Sequence, residues 1–340
     1  MPEDIEFSLP YRETYQEGLY AVLEARRAEM SRQREARITP ARMAQNREAF
    51  REEFADLLGW PLNCYEAYRD QPMQVRKELQ GENDFSKIYR MQFEVLPNLW
   101  FYGIFFEHKN TADALPFVIC QHGGQGTPER ISGLWDTTSN YNDLLARTAR
   151  HGHGANTFAP GLCLWSDDYG PKRERETLDR GLKQVGSSIA ALEVFSLRRV
   201  LDYFIREGIA REGHIGMVGL SYGSSYTLLC AAADTRICAA YSSCQYNDRY
   251  RYNWGDWTWK GSAALMDAEM AALVAPRALF LEEGDNDELF AWDSFLEECK
   301  RAEPFFAAAN AADKLKYRVF PGTHELCKDD QGFDFLFANL

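Results

Sequence analysis

The chemistry in this chain is most legible around one serine. Gly219-Leu220-Ser221-Tyr222-Gly223 has the form G-x-S-x-G. Before it, His214-Ile215-Gly216-Met217-Val218 is a short apolar run of strand type; after it, Ser224 to Ala233 is a helix of small residues. A sharp strand-to-helix turn holds such a serine in a strained conformation with its Oγ exposed, and the flanking glycines let strand and helix approach. A serine hydroxyl is a poor nucleophile at neutral pH. It needs a base to take its proton, and the base needs a carboxylate to orient it.

Candidates for both follow later strands. The run Ala278 to Glu283 leads into Gly284-Asp285-Asn286-Asp287. Asp287 is the favoured carboxylate and Asp285 the alternative, with Asp267 and Glu269 also open. The base is His324, in the turn Pro321-Gly322-Thr323-His324 after the strand Leu315 to Phe320. His108 ends an early strand, His214 precedes the elbow strand, and His151-Gly152-His153 reads as a helix end rather than a pair of zinc ligands. Gln121-His122-Gly123-Gly124-Gln125-Gly126 follows the strand Phe117 to Cys120, and its glycines can turn N–H groups towards a developing oxyanion. Gly124 is the first choice of donor and Gln125 the next, while the Tyr222 N–H supplies the second. His122 reads as a residue that holds this loop. No G-K-S/T or G-x-G-x-x-G pattern supports phosphate binding here.

The elements that must position these residues alternate. Residues 10–58 are helical and charged, with Thr39 as N-cap and Pro40 opening a second helix. Tyr89 to Val95 and Leu99 to His108 flank Pro97-Asn98 as a hairpin. Then come strand Pro116 to Gln121, helix Tyr141 to Arg150, strand Ala155 to Ala159, one long helix Leu182 to Glu207, the elbow strand, and strands Ile237 to Ser243, Arg277 to Glu282 and Leu315 to Phe320. Short buried strands between helices imply a mostly parallel sheet covered on both faces.

Composition narrows the partners. The 340 residues carry a formal net charge of -13, which repels phosphate backbones and anionic lipid, so neither nucleic acid nor membrane is expected. No signal sequence or bilayer-spanning run is read. Eight cysteines without a C-x-x-C pair read as reduced, buried thiols. A cytoplasmic protein without metal or cofactor is the expectation.

On these residues, the segment 85–340 resembles the α/β hydrolases. More narrowly, it is similar to the bacterial acetyl-xylan-esterase and dienelactone-hydrolase-like branch, with some likeness to glucuronoyl esterases. The resemblance rests on His122-Gly123-Gly124, Gly219 to Gly223, Leu273-Val274-Ala275-Pro276-Arg277, Gly284 to Asp287 and Gly322-Thr323-His324. Val200-Leu201-Asp202-Tyr203 and the leader ending Leu57-Leu58-Gly59-Trp60-Pro61 add to it. It implies an α/β-hydrolase fold with the triad in chain order Ser, Asp, His, and carboxyl-ester hydrolysis without a cofactor, often on acylated carbohydrates. Ser224 replaces a frequent second glycine. Ser221 stands where the dienelactone hydrolases proper use cysteine, which argues against that activity.

The expected organisation is a helical N-terminal extension over 1–84 and a catalytic domain over 85–340 with an aromatic-rich insert near 245–260. That insert leaves a strand at the C-terminal edge of the sheet, where sites of open α/β folds lie. Tyr246, Arg249, Trp254 and Trp257 are read as substrate-binding, as is Trp165 in the loop 161–171. Arg249 or Arg251 is a candidate partner for a uronate carboxylate. The expected function is a serine carboxylic-ester hydrolase, forming an acyl-enzyme on a small ester such as a sugar ester. Two alternatives are a serine peptidase of prolyl-oligopeptidase type and a non-catalytic hydrolase-fold binding module. The N-terminal helices are a candidate contact for a homo-oligomer.

Overall fold

The computed structural model describes residues 5–110, 115–134, 139–164, 174–252, 254–259 and 261–340. Its framework is a sheet in which the described residues form nine strands. In chain order they are β1 (Val75–Glu82), β2 (Ser86–Leu96), β3 (Leu99–His108), β4 (Phe117–Gln121), β5 (Asn156–Pro160), β6 (Ile215–Leu220), β7 (Ala239–Ser243), β8 (Ala278–Gly284) and β9 (Leu315–Phe320). The spatial order is β1-β2-β3-β5-β4-β6-β7-β8-β9. The first three strands pair antiparallel, β3 meets β5 antiparallel, and every pairing from β5 onward is parallel. The hairpin over Pro97-Asn98 forms as expected.

The inner parallel strands β4, β6, β7 and β8 are buried on both faces because alternate side chains feed two cores. In β4, Phe117 and Ile119 join one cluster while Val118 and Cys120 join the other. On the first face lie α2 (Pro40–Leu58), α5 (Ile189–Arg206), α6 (Tyr222–Ala233), α7 (Asp267–Val274) and α8 (Trp292–Ala308). The opposite face is covered by α3 (Leu144–Arg150) and α9 (Gln331–Phe337). This is the α/β-hydrolase arrangement, with helices on both sides of a mostly parallel sheet. No helix among the described residues is long and apolar enough to cross a membrane.

The N-terminal helices α1 (Ile5–Arg37) and α2 match the expected helical leader, with the Thr39 side chain accepting from Arg42 N–H at the start of α2. Two expectations are corrected. Residues 75–82, inside the span read as helical, form the edge strand β1; most of its side chains are exposed on both faces, so no apolar alternation marks it. The single helix expected over Leu182 to Glu207 is two, α4 (Glu174–Gln184) and α5. The chain breaks between them because Gly186 takes φ 77° and Ser188 becomes the N-cap of α5, accepting from Ala191 N–H at 3.0 Å. The break also receives the end of α2: Trp60 N–H donates to the Gly186 carbonyl at 3.1 Å, and Ser188 Oγ donates to Leu58 O at 2.8 Å.

Candidate active site

Ser221 sits between β6 and α6 with φ 61° and ψ -124°, a positive-φ conformation that a non-glycine residue holds only under constraint. The constraint comes from both sides. A Cβ at Gly219 would run into the Gly223 carbonyl, and one at Gly223 would run into the Gln121 carbonyl. Ser221 N–H donates to Ser243 O at 3.0 Å, tying the elbow to the end of β7. The residue is almost buried, at 9% exposure.

Asp287 lies in the turn that leaves β8. Its Oδ1 accepts from the N–H groups of Leu289 at 2.7 Å and Phe290 at 2.9 Å. Its Oδ2 lies 2.7 Å from His324 Nδ1. Burial pushes this carboxyl up, but the hydrogen bond and charge of His324 outweigh burial and hold it below the ordinary carboxylate range. The other acids are engaged elsewhere. Asp285 Oδ1 accepts from Gly322 N–H at 3.0 Å and so shapes the turn that carries His324. Asp267 pairs with Arg249, and Glu269 pairs with Arg34 and Arg301.

The His324 loop is clamped by a segment that the sequence reading did not single out. Asn140 Nδ2 donates to the His324 carbonyl at 2.9 Å, and Leu326 N–H returns a bond to Asn140 O at 2.8 Å. Asn142 Nδ2 donates to Leu326 O at 2.6 Å. The imidazole faces the Phe290 ring at 5.7 Å. Among the described residues no hydrogen bond joins Ser221 Oγ to the ring. Such bonds commonly tighten only when substrate is bound.

Two further groups crowd the pair, and sequence alone did not mark them. Glu283 is fully buried; burial first, then the neighbouring Asp287 charge, pushes its carboxyl well above the usual range. The two carboxyls of this pair are thus shifted apart, Glu283 up and Asp287 down. Cys244 Sγ lies within 4.8 Å of donor atoms of Asp287 and His324. Asp287 and His324 already bond to each other, and the thiol donates to Glu325 O at 3.3 Å. Burial and three nearby carboxylates push that thiol well up, which suits neither a nucleophile nor a soft metal ligand.

The loop after β4 meets the elbow directly. A Cβ on Gly123 would fall 2.8 Å from Ser221 Cβ and 3.2 Å from Tyr222 N. Gly126 N–H closes a turn onto Gly123 O at 3.1 Å, with Gln125 at φ 58°. The Tyr141 hydroxyl staples the turn: it accepts from Gly123 N–H at 2.9 Å and donates to the Gly124 carbonyl at 2.9 Å. Arg130 caps the Gln125 carbonyl. His122 is buried, which pushes its pKa down to about 4 and keeps it neutral. Its Nδ1 faces Gly123 O at 2.9 Å and its Nε2 accepts from Leu162 N–H at 3.0 Å, so it spans two loops.

The aromatic insert divides into wall and support. Trp257 lies 5.3 Å from the Tyr222 ring and stacks on Phe290 at 5.9 Å. Half-buried Trp254 meets Trp257 edge-on at 4.5 Å. Since Phe290 also faces His324, these rings form a continuous wall beside the imidazole. Tyr246 and Arg249, expected at the substrate, belong to the packing instead. The Tyr246 ring is 1% exposed and packs on Phe295, because β7 carries it inward onto α8. Arg249 is buried against Asp267 and donates to Ser225 Oγ at 3.2 Å, because an enclosed guanidinium requires a carboxylate partner. Arg251 is exposed, 3.6 Å from Asp293. Trp165 lies outside the described residues.

A buried network fastens the insert to the elbow. Tyr222 Oη donates to Asp256 Oδ1 at 3.1 Å, and Arg175 Nε donates to Asp256 Oδ2 at 2.6 Å. The same guanidinium reaches Glu193 at 2.9 Å and the Tyr226 hydroxyl at 2.7 Å.

No family model and no curated protein matches this chain. Solved structures do. A glucuronoyl esterase from Solibacter usitatus is 12% identical with a TM-score of 0.59, over 85% of this chain and 91% of that one. A protein from Bacteroides fragilis provisionally named an acetyl xylan esterase gives 14% identity and a TM-score of 0.62, over 87% and 84%. An acetyl xylan esterase from Paenibacillus sp. R4 gives 16% and 0.56, over 82% and 93%. At these identities the likeness establishes the shared α/β-hydrolase fold.

Proposed function

We propose that this chain is a serine carboxylic-ester hydrolase acting through an acyl-enzyme on acylated or esterified carbohydrates or related small esters. The observation that carries the reading is the 2.7 Å contact between Asp287 Oδ2 and His324 Nδ1, formed at the sheet rim where Ser221 holds its positive-φ elbow. With Asp287 ionised, Nδ1 carries the proton and the Nε2 lone pair is available as base.

In this mechanism His324 Nε2 takes the Ser221 proton as Oγ bonds to the ester carbonyl carbon. The N–H groups of Tyr222 and of Gly124 or Gln125 receive the oxyanion, on a turn that Tyr141 keeps rigid. Collapse breaks the bond to the alcohol oxygen, which leaves with the proton from His324. Water then gives a proton to His324, attacks the acyl carbon and releases the acid, and the proton returns to Ser221.

The carbohydrate part rests on two supports. The structural neighbours carry names of carbohydrate esterases. Half-buried Trp254, backed by the buried rings of Trp257 and Phe290, offers an apolar face on which the C–H face of a sugar ring stacks. All eight cysteines are free thiols, which supports a reducing, cytoplasmic setting. The peptidase and binding-module alternatives part from this reading in one experiment: purified protein is assayed on acetylated sugars, methyl uronates, aryl esters and dipeptide amides, beside Ser221→Ala. Ester turnover that disappears in the variant supports the proposal. Amide-only turnover, or none with any ester, overturns it.

A further inference from the structure

The long first helix leaves the body without cover. Every residue from 5 to 26 in α1 is exposed, yet the helix carries nine large apolar side chains between 43% and 78% exposed. At 100° per residue, Ile5, Tyr11, Tyr15, Leu19, Val22 and Leu23 fall within about a third of the circumference. Taking ~200 Å² per large side chain, in the range for aromatics, the six on this face expose on the order of 800 Å². That exceeds the roughly 300–600 Å² of the largest patch on ordinary monomers and meets the roughly 800 Å² per partner of a stable interface.

Such a helix does not stand alone. Pro10 and Gly18 lie inside it, residues that cost roughly 3 and 1 kcal/mol in a helix interior. Most helical stability in proteins comes from packing an apolar face, and residues 5–26 are all exposed, with Leu23 and Arg26 at the edge of a cavity on the body.

Charge identifies the occupant. Residues 5–19 contain three acids, Glu6, Glu13 and Glu17, and one base, Arg12. Residues 24–37 contain five arginines and three glutamates. Arg34 and Arg37 are held by Glu269 and Glu53 of the body, so a second α1 laid antiparallel about a midpoint near Gln16 sets Glu6 of each helix against Arg26 of the other, whereas parallel pairing opposes each glutamate to its own copy. Antiparallel pairing of one face with itself is also what a two-fold axis generates. The chain's net charge of -13 disfavours an anionic bilayer as the occupant.

We propose that α1 pairs antiparallel with α1 of a second copy of this chain, forming a two-fold dimer whose bodies lie at opposite ends of the shared helix pair. The partner's first turn then reaches the base of α1, where a cavity of about 240 Å³ is lined by Leu23, Met30, Tyr250, Tyr252, Trp257 and Met266. Trp257 is the ring that packs on Tyr222, so the partner's helix end backs the aromatic wall of the site.

The test is sedimentation velocity on the full chain at micromolar concentration, beside Leu19→Glu/Val22→Glu, with small-angle scattering for shape. The expected wild-type mass is twice 39.0 kDa, with a two-peaked distance distribution. The double variant is expected at the monomer mass with an unchanged melting temperature, since both side chains are exposed. A wild-type monomer overturns the proposal, whether α1 is unfolded or the protein sediments with phosphatidylcholine vesicles. A dimer that survives the double variant, or a compact side-by-side dimer, overturns it equally.

Discussion

Asp287 and His324 stand 37 residues apart in sequence and 2.7 Å apart in space, each at the exit of a neighbouring parallel strand. Asp285 lies two residues from Asp287 and bonds instead to the Gly322 N–H at the base of the histidine turn. The two acids therefore separate by function. Asp287→Asn should lower kcat/KM for an aryl acetate by on the order of 10³–10⁴, because the amide favours the wrong tautomer. Asp285→Asn should cost less than about tenfold. Equal losses would place the orienting role in the turn rather than in one carboxylate.

Tyr141 is the hidden support of the loop proposed to receive the oxyanion. Tyr141→Phe removes the hydroxyl that bridges Gly123 N–H and the Gly124 carbonyl. It should lower kcat by about 10–100-fold with KM within about threefold, because the loss falls on transition-state contacts. Orphaning the buried Gly123 N–H should also cost about 1–3 kcal/mol of stability. Steady-state kinetics and urea unfolding read both.

Asp256 links the insert to the elbow through Tyr222 and Arg175. Asp256→Ala leaves that buried guanidinium with a single carboxylate and should destabilise the fold by about 3 kcal/mol. Tyr222→Phe leaves the ion pair intact and should cost about 1 kcal/mol. Thermal and urea unfolding would show this ranking; the reverse ranking would deny Asp256 its role.

Glu298 gives a pH signature. Burial, aided by the charges of Asp267 and Glu269 and opposed by Arg301, pushes its carboxyl up to about 7 from an ordinary value of 4.5. Between those values the folded chain binds more protons than the unfolded one, so stability falls as pH rises and levels off above about 7. Glu298→Gln should flatten that slope, so its stability relative to wild type should increase from pH 5 to pH 8. A constant difference across that range would contradict the assignment. Urea midpoints at each pH measure it.

Much of this architecture was readable because local and global signals agreed. Short apolar strands alternate with helices, and Ser221 lies between a strand and small-residue helix that only an elbow joins. Asp287 and His324 stood out because each follows a strand through a glycine turn. The missing parts failed for physical reasons. The edge strand β1 is polar on both faces and has no periodicity to detect. The break before Ser188 exists to receive the end of α2, a contact 130 residues distant. Tyr141 and Glu283 act through neighbours that only the fold supplies. Arg249 and Tyr246 looked like surface recognition groups, and burial turned them into supports.

The central claim is that Ser221 is a nucleophile driven by His324 and Asp287. Fluorophosphonate labelling of the folded protein, followed by peptide mapping, tests it most directly. A stoichiometric adduct on Ser221, with the rate falling by at least about 10³ in His324→Ala, is the expected result. No adduct, an adduct on another residue, or unchanged labelling of the histidine variant would contradict it.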